Sequence, residues 1–316
     1  MASILITGGT GLVGTALTKA LRAQGREVGI LTRQKPAKPV DGVAYHEWDP
    51  SAQTIDSNGF DDAVAIVNLA GANVAGGRWT ASRKKEILDS RVQSGTLLVK
   101  ALTEIPNRIR AVVSMSAVGW YGADPVVPNP RPFIETDPAD GDFLGKTCEA
   151  WEDAIAPVSA LGKRLVILRT GIVLSTRGGA YHEFRKPFRF GLAGTLGSGR
   201  QIVSWIHIDD LVTLIINAVD DERRAGIYNA VADVPVANGA LIEAIRASKR
   251  GVSIPVRVPA LALRLGLGEM SVEVLKSATV SNAKLREEGI RFRYPTIDAA
   301  VARLEAGEKP HKKTRG

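Results

Sequence analysis

The chain has 316 residues, of which 45% are hydrophobic and 23% charged, enough apolar material for one large or two modest folded units. That balance excludes disorder, collagen-like repeats and low complexity over most of the length, and a single cysteine, Cys148, excludes an intrachain disulfide framework and a cysteine-rich zinc site. The net charge is +8, and Lys309, Lys312, Lys313 and Arg315, in an acid-free tail over 309–316, supply half of it.

A solvated, disordered tail accounts for those four charges, and no zinc-finger spacing or aromatic-basic motif points to nucleic acid. The longest uncharged stretch, Ala63 to Gly77, contains Asn68 and Asn73 and is too short and polar to span a bilayer. No basic residue precedes Lys19, so the start lacks the charged region of a signal peptide. These features predict a cytoplasmic protein with no nucleic-acid or membrane partner; the oligomeric state is left open.

In chain order, Ser3 to Thr7 reads as a buried strand, followed by a glycine-rich turn over Gly8 to Gly14. Leu12, Val13, Ala16, Leu17, Ala20 and Leu21 then recur at helical spacing, with Gly25 as the stop. Val28 to Thr32, Ala63 to Leu69, Ala111 to Ser116 and Arg164 to Leu168 are further strands. Helices are expected around Ala81 to Thr103 and Cys148 to Leu161. Apolar strands alternating with helices predict an α/β fold, a doubly wound parallel sheet covered on both faces.

After Arg169 the pattern loosens. Residues 175 to 204 read mainly as loop, Ser204 to Ile208 as strand, and Leu211 to Val219, Ala260 to Leu275, Asn282 to Glu288 and Thr296 to Leu304 as helices. Pro255 and Pro259 bracket an extended piece, and Pro295 opens the last helix. The predicted division is a nucleotide-binding unit over 1–172 and 205–232 and a smaller substrate-side region over 173–204 and 233–308.

Thr7 to Gly14 reads T-G-G-T-G-L-V-G between a predicted strand and a predicted helix. In that setting Gly8 permits a tight turn, Gly11 lets the backbone approach a diphosphate, and Gly14 lets helix pack on strand. The free N–H groups of the helix start, at Leu12 and Val13, face the phosphates. A dinucleotide is therefore expected there. At the end of the second strand, where a carboxylate would accept from a ribose 2′-hydroxyl, stand Thr32 and Arg33. A carboxylate would repel a 2′-phosphate and a guanidinium can hold one; the expected cofactor is NADP(H).

These residues resemble an extended short-chain dehydrogenase/reductase. Asn68-Leu69-Ala70-Gly71 looks like the segment ending the fourth strand beside the cofactor, and Ser114-Met115-Ser116 with Trp120-Tyr121-Gly122 like the fifth-strand serine segment. Trp205 to Asp210 resembles the strand-to-helix junction of extended members. More narrowly, Ser90-Arg91-Val92, Ser116 to Gly122, Asp142-Phe143-Leu144 with Trp151-Glu152, Gly197 to Arg200 and Gly289 to Pro295 look like the YfcH-like "epimerase family" proteins. The resemblance implies a Rossmann-type NADP-binding fold and places Arg169, Thr170 and Gly171 with the residues above near the cofactor.

The family's Tyr-x-x-x-Lys pair is missing: no tyrosine is followed by lysine four residues on, and Leu144 and Cys148 occupy the corresponding positions. Ser116 and Tyr121 are the substitutes expected near the reacting atom, with Arg200 and His207 on the substrate side. Arg185, Lys186 and Arg189 add positive charge that suits an anionic small molecule. No metal site is expected. Two functions stay open: an oxidoreductase or epimerase acting on a small carbonyl or sugar-like compound, and a catalytically silent NADP(H)-bound sensor or scaffold.

Overall fold

The computed structural model describes residues 3–249 and 251–307; the basic tail lies outside them. Strand β1 (Ser3–Thr7) leads through the glycine turn into helix α1 (Leu12–Ala23) and strand β2 (Glu27–Thr32). Strands β3 (Val43–Asp49) and β4 (Thr54–Ile55) follow, then β5 (Ala63–Asn68), helix α2 (Ala81–Glu104), strand β6 (Ala111–Ala117), helix α3 (Phe143–Ile155) and strand β7 (Arg164–Thr170). With Gly226–Ala230 they form an eight-stranded sheet in the order Gly226–Ala230, β7, β6, β5, β1, β2, β3, β4. All neighbours are parallel except β3 and β4.

Strand periodicity explains the layers. On β1, Ile4 and Ile6 face one side and pack with Leu17 and Leu21 of α1 and with Leu211 and Ile215 of the helix Ile208–Asp220. Leu5 faces the other side and packs with Leu31, Ile66, and Leu97 and Leu98 of α2. Each fully buried side chain of this size contributes about 1.5–3 kcal/mol, so a strand apolar on both faces belongs at the centre of a two-sided sheet.

A third core lies beside the sheet. Leu174, Tyr181, Trp205, Leu241, Tyr294 and Val301 gather there from segments on either side of Gly226–Ala230. Two short parallel pairs serve this region: Ile172–Leu174 with Trp205–His207, and Leu192–Leu196 with Ile254–Val258. Asp210 sews its last segment down, accepting from the backbone N–H groups of Arg293 (2.9 Å) and Tyr294 (3.0 Å).

Several local expectations change. The third helix starts at Phe143, where Asp142 accepts from the Gly145 N–H (2.7 Å), and runs to Ile155 rather than from Cys148 to Leu161. The predicted helix Ala260 to Leu275 breaks at Gly268, whose φ of +61° ends Ala260–Leu267. The last helix begins at Ile297 with Thr296 as its cap, so Pro295 stands before it rather than inside it.

The turn after β1 admits no side chain at Gly8 or Gly14. Gly8 has φ +63°, and a Cβ there would stand 2.7 Å from the Leu69 carbonyl oxygen; one on Gly14 would stand 2.4 Å from the Gly8 oxygen. Backbone on both sides leaves no room to yield. Gly14→Ala is expected to cost about 1–3 kcal/mol, read as a lower thermal midpoint, while Gly141→Ala, which meets nothing within 4 Å, leaves the midpoint unchanged. Equal midpoints for the two variants would contradict the packing described.

Candidate functional site

The chain passes from β1 to β2 and β3 on one side, then returns to β5, β6 and β7 on the other. The crevice between the C-terminal ends of β1 and β5 is the point where the strand order reverses, where open α/β sheets take their ligands. The glycine turn and the start of α1 occupy it. Gly11 is the helix N-cap and offers no side chain, so the first N–H groups, at Leu12 and Val13, stay available together with the positive end of the helix dipole. Gly9 has a part that the motif alone did not reveal: a Cβ there would stand 2.8 Å from Ile30 of β2.

The strand ends are tied by one buried relay. Thr7 Oγ1 donates to Asn68 Oδ1 (2.8 Å) and accepts from the N–H groups of Leu69 (3.0 Å) and Ala70 (3.1 Å). Asn68 Nδ2 donates to Ser114 Oγ (3.1 Å). These side chains are satisfied by one another, so Thr7, Asn68 and Ser114 shape the crevice rather than reach into it. At the end of β2, Thr32 closes a turn by donating to the Gln34 carbonyl (2.8 Å). Arg33 stands exposed beyond it.

A second buried relay joins β6, α3, β7 and Gly226–Ala230. Ser116 Oγ donates to Glu152 Oε1 (2.6 Å), and Arg169 grips both Glu152 oxygens (2.8 and 2.9 Å). Arg169 also donates to the Tyr121 hydroxyl (3.2 Å) and to the Glu135 carbonyl (3.0 Å), and its guanidinium lies 3.5 Å from the Trp120 ring. The Tyr121 hydroxyl donates to Asn229 Oδ1 (2.7 Å). Burial pushes the Tyr121 phenol up to about 12, a shift that the Arg169 bond offsets only in part.

Tyr121 is therefore a fully buried support of the Arg169–Glu152 pair, and its phenol does not reach a substrate. Arg169 is likewise a buried structural cation. Thr170 donates to the Leu168 carbonyl (3.2 Å), and a Cβ on Gly171 would stand 2.5 Å from the Ser204 oxygen, so the three residues close the end of β7. Glu152, Asn229 and Glu135 went unassigned in the sequence, because their partners lie far away along the chain.

The positions of the missing pair are plain. Leu144 and Cys148 of α3 face Gly119, and a Cβ there would lie 3.2 Å from Leu144 and 3.7 Å from the Cys148 sulfur. Burial pushes the Cys148 thiol up to about 12, which leaves it neutral beside the Ala117 carbonyl. The charges near Cys148 are Glu152, Arg91 of α2 and Arg169; Arg91 approaches from behind Gly71. A Cβ on Gly71 would stand 3.1 Å from its guanidinium carbon. Arg91 donates to the Ile87 (2.8 Å) and Ala72 (3.2 Å) carbonyls and lies 4.8 Å from the Trp151 ring. Burial pulls it down to about 10, which keeps it charged at neutral pH.

On the substrate side, Arg200 is exposed on the loop after Leu192–Leu196. His207 is not: it caps the helix Ile208–Asp220 through Nδ1, which accepts from the Asp209 N–H (3.0 Å). Among the described residues its Nε2 is buried without a partner, and its ring packs on Tyr294, 4.2 Å between centroids. Arg185 pairs with Glu305, which also accepts from Tyr181 (2.8 Å).

This geometry belongs to a known family. The description "NAD dependent epimerase/dehydratase family" matches residues 4–146, and a domain of unknown function matches 258–304. An epimerase family protein of Staphylococcus saprophyticus is 36% identical over 96% of this chain and 99% of its own length. The chain belongs to the epimerase family. Among solved structures, the human epimerase family protein SDR39U1, crystallised with NADPH, is 30% identical with a TM-score of 0.84, covering 96% of this chain and 99% of that one. A nucleoside-diphosphate sugar epimerase from Corynebacterium glutamicum is 34% identical with a TM-score of 0.76, covering 96% of this chain and 58% of that one. The family bears out the Rossmann-type fold expected from the sequence.

Burial pushes His207 down to about 4. As pH falls from about 6.5 toward 4, the unfolded chain takes up a proton that the folded imidazole refuses, so stability present above pH 6.5 is lost on acidification, on the order of 2–3 kcal/mol. His207→Asn keeps a capping oxygen and removes the titration. Thermal midpoints at pH 7 and pH 5 should therefore fall less in the variant than in wild type; equal falls would contradict the assignment.

Proposed function

We propose that this epimerase family protein binds NADP(H) across the β1/β5 crevice and acts as an oxidoreductase or epimerase on a small carbonyl or sugar-like compound. The observation that carries the reading is the glycine turn at the switch point: Gly8, Gly9 and Gly14 let strand, turn and helix pack where a Cβ would clash, and the Gly11 N-cap spends no side chain on the first N–H groups of α1. The NADPH of the human relative supports the choice of cofactor. NADP(H) bound there would supply hydride-transfer chemistry.

The chain's own residues divide the work. The Leu12 and Val13 N–H groups and the helix dipole hold the diphosphate. Arg33 holds the 2′-phosphate through charge-assisted hydrogen bonds. Arg91, behind Gly71, supplies positive charge near the position where the family's lysine is replaced by Cys148. Ser116 is buried at the end of β6 and gives its own proton to Glu152; unlike the Tyr121 phenol it stands at the strand tip, and in this reading its remaining lone pairs accept from a substrate hydroxyl. Arg169 holds Glu152 in place for that bond, and Arg200 offers a guanidinium to an anionic part of the substrate.

A second reading, a silent NADP(H)-bound sensor, is favoured by one observation: Leu144 and Cys148 stand where a phenol and an ammonium are needed. NADPH oxidation across a panel of aldehydes, ketones and nucleotide sugars separates the two. The enzyme reading predicts turnover that falls about tenfold or more in Ser116→Ala and stays within about threefold in Tyr121→Phe, whose loss is stability of about 1–2 kcal/mol. Tight NADPH binding with no turnover on any compound would establish the sensor instead.

A further inference from the structure

The side region ends in a tip built from two adjacent turns. Phe190 and Gly191 form one; Val252 leads into Ile254 in the other, and the Ile254 N–H donates to the Gly191 carbonyl (2.8 Å). From there the strands Leu192–Leu196 and Ile254–Val258 run parallel. Phe190 is 82% exposed, Val252 93% and Ile254 63%. Scattered single apolar residues on a surface need no explanation, but large ones clustered on neighbouring turns mark an interaction site.

Cations surround the tip. His182, Arg185, Lys186, Arg189 and Lys249 line one small cavity of about 60 Å³, and no acidic residue shares its wall. Glu305 answers Arg185 (2.6 Å) and Glu183 answers Lys186 (2.7 Å). Among the described residues, Arg189 and Lys249 have no carboxylate partner; Lys249 sits 5.3 Å from the Phe188 ring. Glu305 closes the last helix of the described chain and pairs with Arg185 of the cavity wall. The sequence that follows carries Lys309, Lys312, Lys313 and Arg315 and no acid after residue 308.

We propose that this tip docks on an anionic lipid bilayer, with Phe190 and Val252 entering the boundary between headgroups and acyl chains and Arg189, Lys249 and Lys186 meeting lipid phosphates. Exposed apolar side chains flanked by basic ones are the composition that interfacial binding requires. Val252 and Ile254 are aliphatic and offer no face for base stacking, which favours lipid over nucleic acid. Among the described residues no helix is long and apolar enough to cross a membrane, so the association is peripheral. The proposal departs from the expectation of no membrane partner, which rested on the lack of a spanning segment, and it is independent of the cofactor crevice.

The test is co-sedimentation of the full chain with vesicles of phosphatidylcholine containing roughly a third phosphatidylglycerol, and with phosphatidylcholine alone. Wild type is expected to pellet with the first, to be released by salt, and to stay in solution with the second. Phe190→Ser/Val252→Ser should weaken binding about tenfold, and Arg189→Gln/Lys249→Gln about fivefold or more. Both variants should keep the wild-type thermal midpoint. The proposal is overturned if wild type does not pellet with the anionic vesicles, if the Phe190→Ser/Val252→Ser protein pellets as well as wild type, or if the protein retains a single-stranded oligonucleotide and ignores vesicles.

Discussion

The molecule depends on a close approach of backbone to backbone. Where β1 ends, the chain turns at Gly8 directly against the Leu69 carbonyl at the end of β5, and α1 departs with Gly14 against Gly8 itself. A single methyl group at either place would push the helix off the sheet. The same glycines bring the start of α1 to the crevice with no side-chain cap on its first N–H groups, so the fold and the capacity to bind a diphosphate depend on one set of missing atoms.

Behind this turn two hydrogen-bonded relays fix the strand ends. Thr7, Asn68 and Ser114 join β1, β5 and β6; Ser116, Glu152, Arg169, Tyr121 and Asn229 join β6, α3, β7 and the edge strand. A buried pair such as Arg169 and Glu152 adds little net stability, yet losing one partner would strand a charge in the interior. The second relay therefore gives the crevice a rigid wall, and Ser116 is its end at the strand tip. The hydroxyl that the sequence offered as an acid, on Tyr121, is spent inside that wall.

Much of this organisation is legible in the sequence, for physical reasons. β1, β2, β5, β6 and β7 are buried on both faces and so read as unbroken apolar runs, and the glycine turn sits between a run and a helical repeat. Val43–Asp49 escapes notice because it lies near the sheet edge, half exposed, with Tyr45, His46 and Glu47 interrupting the pattern. The first turn of α3 escapes because Gly145 and Thr147 carry little helical signal; its start is fixed by the Asp142 cap and by packing on Gly119. In the site, the glycines and the absent Tyr–Lys pair could be read directly. The partners of Tyr121 and Ser116 could not, since Asn229 and Glu152 reach them only through the folded sheet, and Arg91 shows itself only once α2 lies behind Gly71.

The central claim is that a dinucleotide with an extra phosphate lies over the glycine turn with its adenosine end against Arg33. Calorimetric titration of the purified chain with NADPH and with NADH, repeated on Arg33→Ser, tests it most directly. The account predicts tighter binding of NADPH than of NADH in wild type, and an NADPH affinity about tenfold or more weaker in the variant with NADH little changed. Equal affinities of wild type for the two cofactors, or no heat from either, would contradict it.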